Sequence, residues 1–407
     1  MLSIDKLSNG LTLIVEEMPQ FESIAYELAI PGGIVCDDEN SIGASLILAE
    51  LVTKGAGTYT SEQLSNAFDE YGIRHGEGAG HDRYYFRGQA TTEYLKRGLE
   101  LVALMVLKPK LPEEEITNIR NLYIQDIQSL KDNPARRAGL ILGEKYFPSP
   151  HSRPGIGTIE GLNNVNLALV KNLWEKQFKP EGSVLSVSGN VKRDEVIALA
   201  ESLFLDWRGA AVEIPKMGTF PAHENFHVQD EGAQLQIVLA YPSVKFGEKQ
   251  YYAAKVANQI LSGGMFGRLF IEVREKRGLC YSVYGRHSGT NEYGMFQAYA
   301  GTTPERAHET LDVMLGELKR LKGSVTADEM TRAKANLKAS LIIGGESPAA
   351  RSSSNSGEWW LDRKVRSLDE ILTAVEKVTI ADIDEYVEKF PADSFMLLTL
   401  GKRDLKK

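Results

Sequence analysis

The feature that most constrains how this chain can fold is a long internal repeat. The segment LAIP at residues 28–31 returns as LAYP at 239–242, which is 211 positions later (239 − 28). A threonine pair that opens a helical pattern lies at 91–92 and again at 302–303, at the same displacement (302 − 91). A helix N-cap and a strand that ends in glycine also repeat at nearly this distance. Repetition of whole patterns at one displacement indicates two homologous halves.

The boundary between the halves is predicted from proline and glycine. The stretch 209–222 holds Pro215, Pro221 and two glycines, and this composition favours a linker over a helix or a strand. A chain of 407 residues is long enough for two domains, each with a core of its own. We therefore predict an N-terminal half at 1–208 and a C-terminal half at 223–407.

Hydrophobic periodicity predicts both strands and helices in each half. Short strand-like segments predict strands at 11–16, 23–30, 83–89 and 234–241. Amphipathic patterns predict helices near 42–54, 61–71, 92–107, 112–130 and 166–176. Runs of strands followed by runs of helices favour an α+β fold, in which each half is a mainly antiparallel sheet with helices packed on one face.

Composition and charge exclude several classes of function. The net charge of −8 argues against a nucleic-acid partner, because phosphate binding needs clustered Lys and Arg. No apolar run approaches the roughly 18 residues that a membrane helix requires. The first residues show no signal-peptide pattern, so we expect a cytoplasmic protein unless a presequence has been removed. Two distant cysteines, Cys36 and Cys280, make no disulfide framework.

The helical segment at 43–55, GASLILAELVTKG, resembles a segment of the insulinase/pitrilysin (inverzincin) metallopeptidases. In that family the helix carries His-x-x-Glu-His, whose two histidines bind zinc and whose glutamate activates water. Aligned on the closing Lys-Gly pair, the three positions are Leu46, Ala49 and Glu50. The family's third ligand, a glutamate on a later helix, falls by spacing on Asp126. The resemblance therefore implies that these degenerate positions bind no zinc.

Two carboxylates, Glu50 and Asp126, leave one alternative open. They would suit a hard cation with many oxygen ligands better than zinc. Catalytic zinc sites usually have three protein ligands and an open water position. The interpretation that we favour is that 42–52 forms a buried core helix and that this chain holds no metal.

A second segment at 261–283, LSGGMFGRLFIEVREKRGLCYSV, carries the most specific resemblance. It is similar to the family's glycine-rich turn, helix and strand, in which an arginine and a tyrosine seven residues apart reach the active site. Arg274 and Tyr281 have this spacing (281 − 274). Three glycines that permit a tight turn and close approach of a peptide backbone are candidate substrate-binding residues: Gly263, Gly264 and Gly267. Gly267 departs from the family, where serine is commoner.

The chemistry of peptide hydrolysis explains why an arginine and a tyrosine would be kept. Negative charge builds on the former carbonyl oxygen, and a phenol donor placed there stabilises the transition state. An arginine fork can hold a backbone carbonyl or a carboxylate with two parallel hydrogen bonds. The alternative is an ordinary helix ion pair for Arg274 and sheet packing for Tyr281.

The lost zinc ligands and the retained Arg/Tyr pair together imply a divided active site. Some members of the family, resembling the mitochondrial processing peptidase, split these parts between two homologous subunits. We expect this chain to supply Arg274 and Tyr281, to be inactive alone, and to act on peptides with a homologous zinc-binding His-x-x-Glu-His subunit. The alternative is a catalytically inert structural or peptide-binding homologue.

Histidine pairs elsewhere in the chain are weaker candidates. His223 and His227 match His-Glu-x-x-His, but a zincin requires this pattern on a helix. Pro221 and the strand-like residues that follow predict an extended chain, in which four residues span roughly 13 Å. His75 and His81 flank a glycine-rich stretch that we predict to be a loop with solvated histidines.

Overall fold

The structure is a computed structural model that describes residues 1–222 and 224–405. Its strands, in chain order, are β1 (Leu2–Lys6), β2 (Thr12–Glu17), β3 (Ser23–Pro31), β4 (Gly55–Ala56), β5 (Tyr59–Thr60), β6 (Arg74–Ala79), β7 (Arg83–Thr91), β8 (Val184–Gly189), β9 (Phe226–Gln229), β10 (Leu235–Pro242), β11 (Cys280–Gly289), β12 (Gly294–Thr302) and β13 (Met396–Gly401). Its helices are α1 (Ala44–Leu51), α2 (Ser61–Asp69), α3 (Leu95–Leu107), α4 (Glu113–Ser129), α5 (Pro134–Tyr146), α6 (Ile159–Asn163), α7 (Leu167–Gln177), α8 (Arg193–Phe204), α9 (Tyr251–Ser262), α10 (Ala307–Arg320), α11 (Ala327–Gly344), α12 (Pro348–Asp362), α13 (Leu368–Lys377) and α14 (Ile380–Lys389).

The first large sheet has the strand order β1-β2-β8-β3-β7-β6. Neighbouring strands pair antiparallel except β2 and β8, which are parallel. Alternate residues of β3, such as Tyr26 and Leu28, enter a core shared with the apolar faces of α1, α3 and α7. This alternation places one face of the sheet on a layer of helices.

The second large sheet has the order β11-β12-β10-β13-β9, again antiparallel except for one pair, β13 and β9. Ile237 and Leu239 of β10 enter a core shared with α9 and α10. Each half is therefore a mainly antiparallel sheet with helices on one face, which confirms the predicted α+β fold of two homologous halves.

The two compact units of the structure differ from the two predicted sequence halves, because one helix of each half belongs to the unit that is built mainly from the other half. The first unit comprises Met1–Ser129, Arg153–Lys216 and Gly344–Val365, so it includes α12 from the C-terminal half. The second unit includes α5 from the N-terminal half, within Leu130–Ser152. The boundaries at 208 and 223 stay a prediction about the sequence repeat, and the compact units divide the chain at other positions. The physical reason is that each sheet has a second face, which a single helix covers.

The two exchanged helices cover their sheets by different means. Ala138, Leu142 and Tyr146 of α5 pack on Val238 and Ala240, which point away from the main core of the second unit. The contact is apolar, so burial of these side chains stabilises it. The helix α12 instead lies on a polar face of the first sheet.

The contact of α12 with the first sheet is built from charged and small polar side chains. Arg351 donates to the Glu16 carboxylate at 2.8 Å, and Asn355 donates to the same carboxylate at 2.7 Å. Ser353 donates to Glu27 at 2.8 Å. Because buried polar groups need partners, these bonds fix the position of the helix more narrowly than apolar packing would.

One predicted loop is a strand. The glycine-rich stretch that begins after His75 forms β6, which pairs with β7, and the turn follows it at Gly80 and His81. His75 is exposed, as predicted, but it lies on this strand and not in a loop. Its ring stacks on Phe68 with ring centroids 3.9 Å apart and bonds to Glu77 at 2.9 Å. The Glu77 hydrogen bond raises the pKa of His75, against the opposing effect of burial. The glycine composition concealed the strand because glycine is depleted in strands generally.

Gly88 gives a test of packing in the first unit. The Tyr26 ring occupies the place where a Cβ on Gly88 would lie, so Gly88→Ala should destabilise the fold by about 1–3 kcal/mol through overpacking. All four tryptophans lie in the first unit, so urea unfolding followed by their fluorescence reports the change. Gly76→Ala on the neighbouring strand is the control, because a Cβ there meets no atom. Equal midpoints for the two variants would contradict this account of the packing.

Two further features bear on the setting of the protein. Among the described residues, no helix has the length and hydrophobicity that crossing a bilayer requires. Cys36 and Cys280 are both free thiols, and burial raises the pKa of each to about 11. Neither thiol therefore has the character of a reactive thiolate at neutral pH.

Candidate functional site

A buried carboxylate holds the start of α1, the helix that carries the degenerate zinc-ligand positions. Asp37 accepts hydrogen bonds from the backbone amides of Gly43 at 2.7 Å and Ser45 at 3.1 Å, and from the Ser45 hydroxyl. Burial raises the pKa of Asp37 to about 6, although these hydrogen bonds oppose the rise. Since the amides of the first helical turn have no partner within the helix, Asp37 fixes where α1 begins.

The degenerate positions on α1 are occupied by core side chains. Leu46 and Ala49 are 5% and 1% exposed, and neither side chain has an atom that binds a metal. Every residue of α1 except Glu50 is buried, which is the pattern of a core helix. The side chains of α1 therefore pack in the hydrophobic core.

The two remaining carboxylates, Glu50 and Asp126, lie near one phenol. Burial and then the charges of Glu50, Tyr85 and Asp126 raise the pKa of Tyr123. Glu50 also lies 4.0 Å from the Lys54 ammonium. Within residues 1–222 and 224–405, no group of three or more His, Cys, Asp or Glu side chains could hold a metal ion. The residues present do not fit zinc, which takes three protein ligands in catalytic sites.

Arg274 lies in a segment of π-helix, Phe270–Glu275, that follows the glycine-rich turn. Its guanidinium carbon lies 4.9 Å from the centre of the Phe270 ring and 4.7 Å from that of the Tyr281 ring. One of its nitrogens donates to the Tyr281 carbonyl at 2.8 Å. Single-turn π-helices are rare and frequently lie at functional sites, because the extra residue redirects a side chain.

Tyr281 is the extra residue of a β-bulge. In the pairing of β11 with β12, Cys280 and Ser282 face consecutive residues, Thr302 and Gly301, so Tyr281 has no partner across the ladder. Its side chain is 78% exposed. A bulge bends its strand and redirects a side chain, and here it presents a phenol to solvent beside Arg274. The structure thus brings the two predicted residues together.

The three candidate glycines form the turn between α9 and the segment that carries Arg274. Gly264 has φ +94°, a conformation that disfavours other residues. Gly267 sits against the backbone of Leu261 and Ser262, where a side chain would not fit. Met265 and Phe266, between these glycines, are 71% and 68% exposed. This close packing accounts for glycine at position 267, where serine is commoner in the family that the segment resembles.

A buried ion pair anchors this turn. Arg268 is 6% exposed and donates to both carboxylate oxygens of Glu329, at 2.7 and 2.8 Å. It also donates to the Ser324 carbonyl at 2.9 Å. The Arg268 hydrogen bonds lower the pKa of Glu329 to about 2. The pair ties the start of the functional segment to α11.

His287 on β11 predicts a pH dependence of stability. Its Nε2 atom lies 3.1 Å from the Val244 carbonyl, and burial followed by the charge of Lys255 lowers its pKa to about 4. The folded state therefore prefers the neutral ring, so stability present above pH 6.5 is lost as the pH falls through 4, by up to roughly 3 kcal/mol. His287→Phe should flatten this slope in urea titrations between these pH values, whereas His308→Phe on α10 should not. An unchanged slope in His287→Phe would contradict the assignment.

The described residues of the rejected zincin motif do not form a helix. His223 lies outside the described residues. His227 lies on β9, where Nδ1 contacts the Thr399 hydroxyl at 2.9 Å and Nε2 contacts the Gln229 amide oxygen at 3.4 Å. Its ring nitrogens are thus engaged within the sheet.

Comparison with known proteins relates the whole chain to one peptidase family. The sequence model described as "Insulinase (Peptidase family M16)" matches residues 12–148, and that of "Peptidase M16 inactive domain" matches residues 164–337. An uncharacterized zinc protease of Rickettsia felis is 27% identical, over 99% of this chain and 98% of that protein.

Solved structures show the same fold. The crystal structure of a peptidase M16 inactive domain from Pseudomonas fluorescens matches with a TM-score of 0.91 at 22% identity, covering 100% of this chain and 99% of that one. A chain of Complex III2 from Candida albicans, with Inz-5 bound, matches with a TM-score of 0.85 at 18% identity, covering 100% and 98%. At these identities the likeness concerns the fold alone.

Proposed function

Because the chain belongs to the insulinase family of peptidases, family M16, we propose that it is the non-metal-binding subunit of a two-subunit zinc peptidase. One observation carries the proposal. The chain presents Arg274 and Tyr281 together at its surface, on a π-helix and a β-bulge, while the ligand positions Leu46 and Ala49 are core. π-helical turns and β-bulges are over-represented at functional sites, which favours a functional role for the tyrosine that they expose here.

In this proposal Tyr281 stabilises the charge that develops on the scissile carbonyl. Its phenol donates a hydrogen bond to the oxyanion, and among the described residues it has no other hydrogen-bond partner. Zinc bound by the partner subunit would supply the activated water. One Arg274 nitrogen donates to the Tyr281 carbonyl, and the guanidinium lies over the Tyr281 ring. The remaining N–H groups can hold a substrate carbonyl or carboxylate.

The substrate is proposed to be a peptide in extended form. The first sheet ends at the edge strand β6, and a Cβ at Gly76 of this strand would meet no atom, so another backbone can approach there. The corresponding edge of the second sheet is engaged, since Ser262 accepts from the Gly285 amide and Arg274 donates to the Tyr281 carbonyl. A peptide pairs with β6 by main-chain hydrogen bonds, which give little sequence selectivity.

Metal content tests the division of labour. The purified chain, the closest His-x-x-Glu-His homologue of the same organism and their mixture are separated by size, and zinc is measured in each fraction. We expect one zinc per mixed dimer and no zinc in this chain alone. The zinc content should be the same when this chain carries Glu50→Gln. Stoichiometric zinc in the chain alone, lost in Glu50→Gln, would instead support a site at Glu50 and Asp126.

A second candidate function is a catalytically inert structural or peptide-binding role. The match to a chain of Complex III2 favours it, since such a chain belongs to a larger assembly. The two candidates differ in the expected effect of variants at Arg274 and Tyr281. If the subunit is inert, these variants leave its assembly and its peptide binding unaffected. Absence from the genome of any His-x-x-Glu-His relative would favour the structural role.

A further inference from the structure

The two glycines of the edge strand β6 are covered differently. Gly78 lies opposite Tyr85 of β7, whose ring lies across it, with the ring Cζ atom 2.5 Å from the place that a Cβ on Gly78 would take. Gly76 lies opposite Arg87, but apart from its chain neighbours no described atom lies within 4 Å of the corresponding place. The strand therefore has one glycine covered by an aromatic ring and one that is uncovered.

Arg87 leaves Gly76 uncovered because its side chain is held elsewhere. Its Nε atom donates to the Glu27 carboxylate at 2.7 Å, and Glu27 lies on β3, on the other side of β7 from β6. The Arg87 guanidinium carbon also lies 4.4 Å from the centre of the Tyr85 ring. Ser353 of α12 donates to Glu27 as well, at 2.8 Å, so this carboxylate is fixed from two sides. The fold therefore keeps the space over Gly76 open beside a ring and a guanidinium.

This space lies on the face of the first sheet that is turned away from its main core. Tyr84 and Phe86 of β7 enter that core. Tyr85 and Arg87 alternate with them along the strand and therefore point to the other face. The Arg87 side chain is 52% exposed, so a ligand can reach this part of the face from solvent.

The backbone groups that β6 leaves free determine how a peptide would pair with it. The Gly80 amide donates to the Arg83 carbonyl at 2.7 Å, which continues the pairing of β6 with β7. Hydrogen bonds to one neighbour recur at every second residue of an antiparallel strand, so the backbones of Gly78 and Gly76 also face β7. The outward-facing backbone groups belong to the residues that alternate with these: His75, Glu77 and Ala79.

We propose that the space over Gly76 is a binding site for an aromatic side chain of a peptide that pairs with β6. The inference rests on the proposed function, because it takes the ligand to be an extended peptide on this strand. The peptide residue opposite Gly76 directs its side chain to the same face of the sheet as Tyr85 and Arg87. The site therefore selects a substrate class that main-chain pairing alone would not select.

Two features favour an aromatic side chain over an aliphatic one. A ring that lies across an edge glycine stabilises the strand, and Tyr85 does this for Gly78. A guanidinium is attracted to the face of an aromatic ring, and Arg87 lies beside the space with its guanidinium on one ring already. A peptide ring over Gly76 would repeat the arrangement that the chain itself uses two residues further along β6.

Peptide binding to the full chain tests the site without catalysis. Short fluorescently labelled peptides with capped ends share one sequence and differ only at a central Phe, Leu or Ala, and fluorescence anisotropy gives their dissociation constants. We expect about tenfold tighter binding of the Phe peptide than of the Ala peptide, since burial of an aromatic ring contributes at least this much. The Leu peptide should bind more weakly than the Phe peptide, because it lacks the attraction to the guanidinium. Equal affinities of the Phe and Leu peptides, or no measurable binding of any peptide, would overturn the proposal.

A variant that fills the space assigns the preference to Gly76. Gly76→Phe places a ring of the chain's own there, and it should fold because the position is open and its φ is not positive. The Phe and Ala peptides should then bind with nearly equal affinity. Gly155→Phe is the control, because it adds the same ring at another open glycine without a positive φ and should keep the preference. A preference that survives in folded Gly76→Phe would overturn the proposal.

Hydrogen exchange of the wild-type chain gives a second measurement that needs no variant. The Phe peptide should slow exchange in the segment 74–79, because it occupies the outward amides of β6, and it should do so more than the Ala peptide at the same concentration. Tight binding of the Phe peptide without slower exchange in this segment would place the ring elsewhere and overturn the proposal.

The inference and the proposed function fail in different ways. Cleavage of peptides by the mixed dimer, with no aromatic preference in binding, would overturn the inference and leave the peptidase role. An aromatic preference that Gly76→Phe removes, in a chain whose mixed dimer cleaves no peptide, would keep the site and remove the peptidase role.

Discussion

Turnover by the mixed dimer should fall by about 10²–10³ when Tyr281 is replaced by Phe, because one oxyanion donor contributes this much to kcat. The substitution removes a single oxygen from a side chain that is 78% exposed, so folding and assembly should be unchanged. The ring remains 4.7 Å from the Arg274 guanidinium, so substrate position, and hence KM, should change little. The measurement is kcat and KM for a quenched fluorescent peptide.

A matched control lies three residues further along β11. Tyr284 is 40% exposed and stacks on Tyr299 at 4.9 Å, but it lies outside the bulge. Tyr284→Phe should keep nearly full kcat. If both variants lose activity equally, or if Tyr281→Phe keeps full activity, the assigned role of Tyr281 is wrong.

Arg274→Ala should affect both kinetic constants. The side chain binds the Tyr281 carbonyl and packs on two rings, so its loss frees the bulge as well as removing donors for substrate. We expect kcat to fall and KM to rise, whereas Tyr281→Phe changes kcat alone. Arg274→Lys restores the charge but not the planar fork, so it should recover little activity.

The second large effect is expected on stability. Arg268→Ala should destabilise the second unit by about 3–5 kcal/mol, because it leaves the Glu329 carboxylate without its buried partner. Arg277→Ala is the control: Arg277 pairs with Glu272 but is 40% exposed, so the loss should be about 1 kcal/mol or less. Urea unfolding followed by circular dichroism measures both, since the second unit contains no tryptophan among its described residues.

The effect of Arg268 should also depend on pH with a defined sign. Its hydrogen bonds lower the pKa of Glu329 from 4.5 to about 2, so the pair stabilises the fold fully above pH 4.5 and progressively less as the pH falls toward 2. The difference between the wild type and Arg268→Ala should therefore shrink across that window. A difference independent of pH would mean that Arg268 stabilises the turn by packing rather than by charge.

The repeated architecture could be predicted because its signals are local and occur twice. The strand patterns at 23–30 and 234–241 correspond to β3 (Ser23–Pro31) and β10 (Leu235–Pro242), and the helical pattern at 112–130 corresponds to α4 (Glu113–Ser129). The two strand segments are short, nearly continuous apolar runs and the helical segment carries apolar residues at helical spacing, so each can be recognised from local sequence. The family resemblance was likewise carried by contiguous residues.

The features that shape the site could not be predicted, because they depend on pairing between distant segments. The bulge at Tyr281 exists only in the register of β11 against β12. The exchange of α5 and α12 depends on which sheet face each helix meets after folding. Spacing in sequence carries no signal for either of these.

Peptide hydrolysis in the presence of zinc tests the central claim most directly. A quenched fluorescent peptide is incubated with the purified chain, with its closest His-x-x-Glu-His homologue from the same organism, and with the two mixed. The account predicts cleavage only in the mixture, and its loss when the mixture contains Tyr281→Phe. Zinc-dependent cleavage by the chain alone, or a mixture that assembles and stays silent, would contradict it.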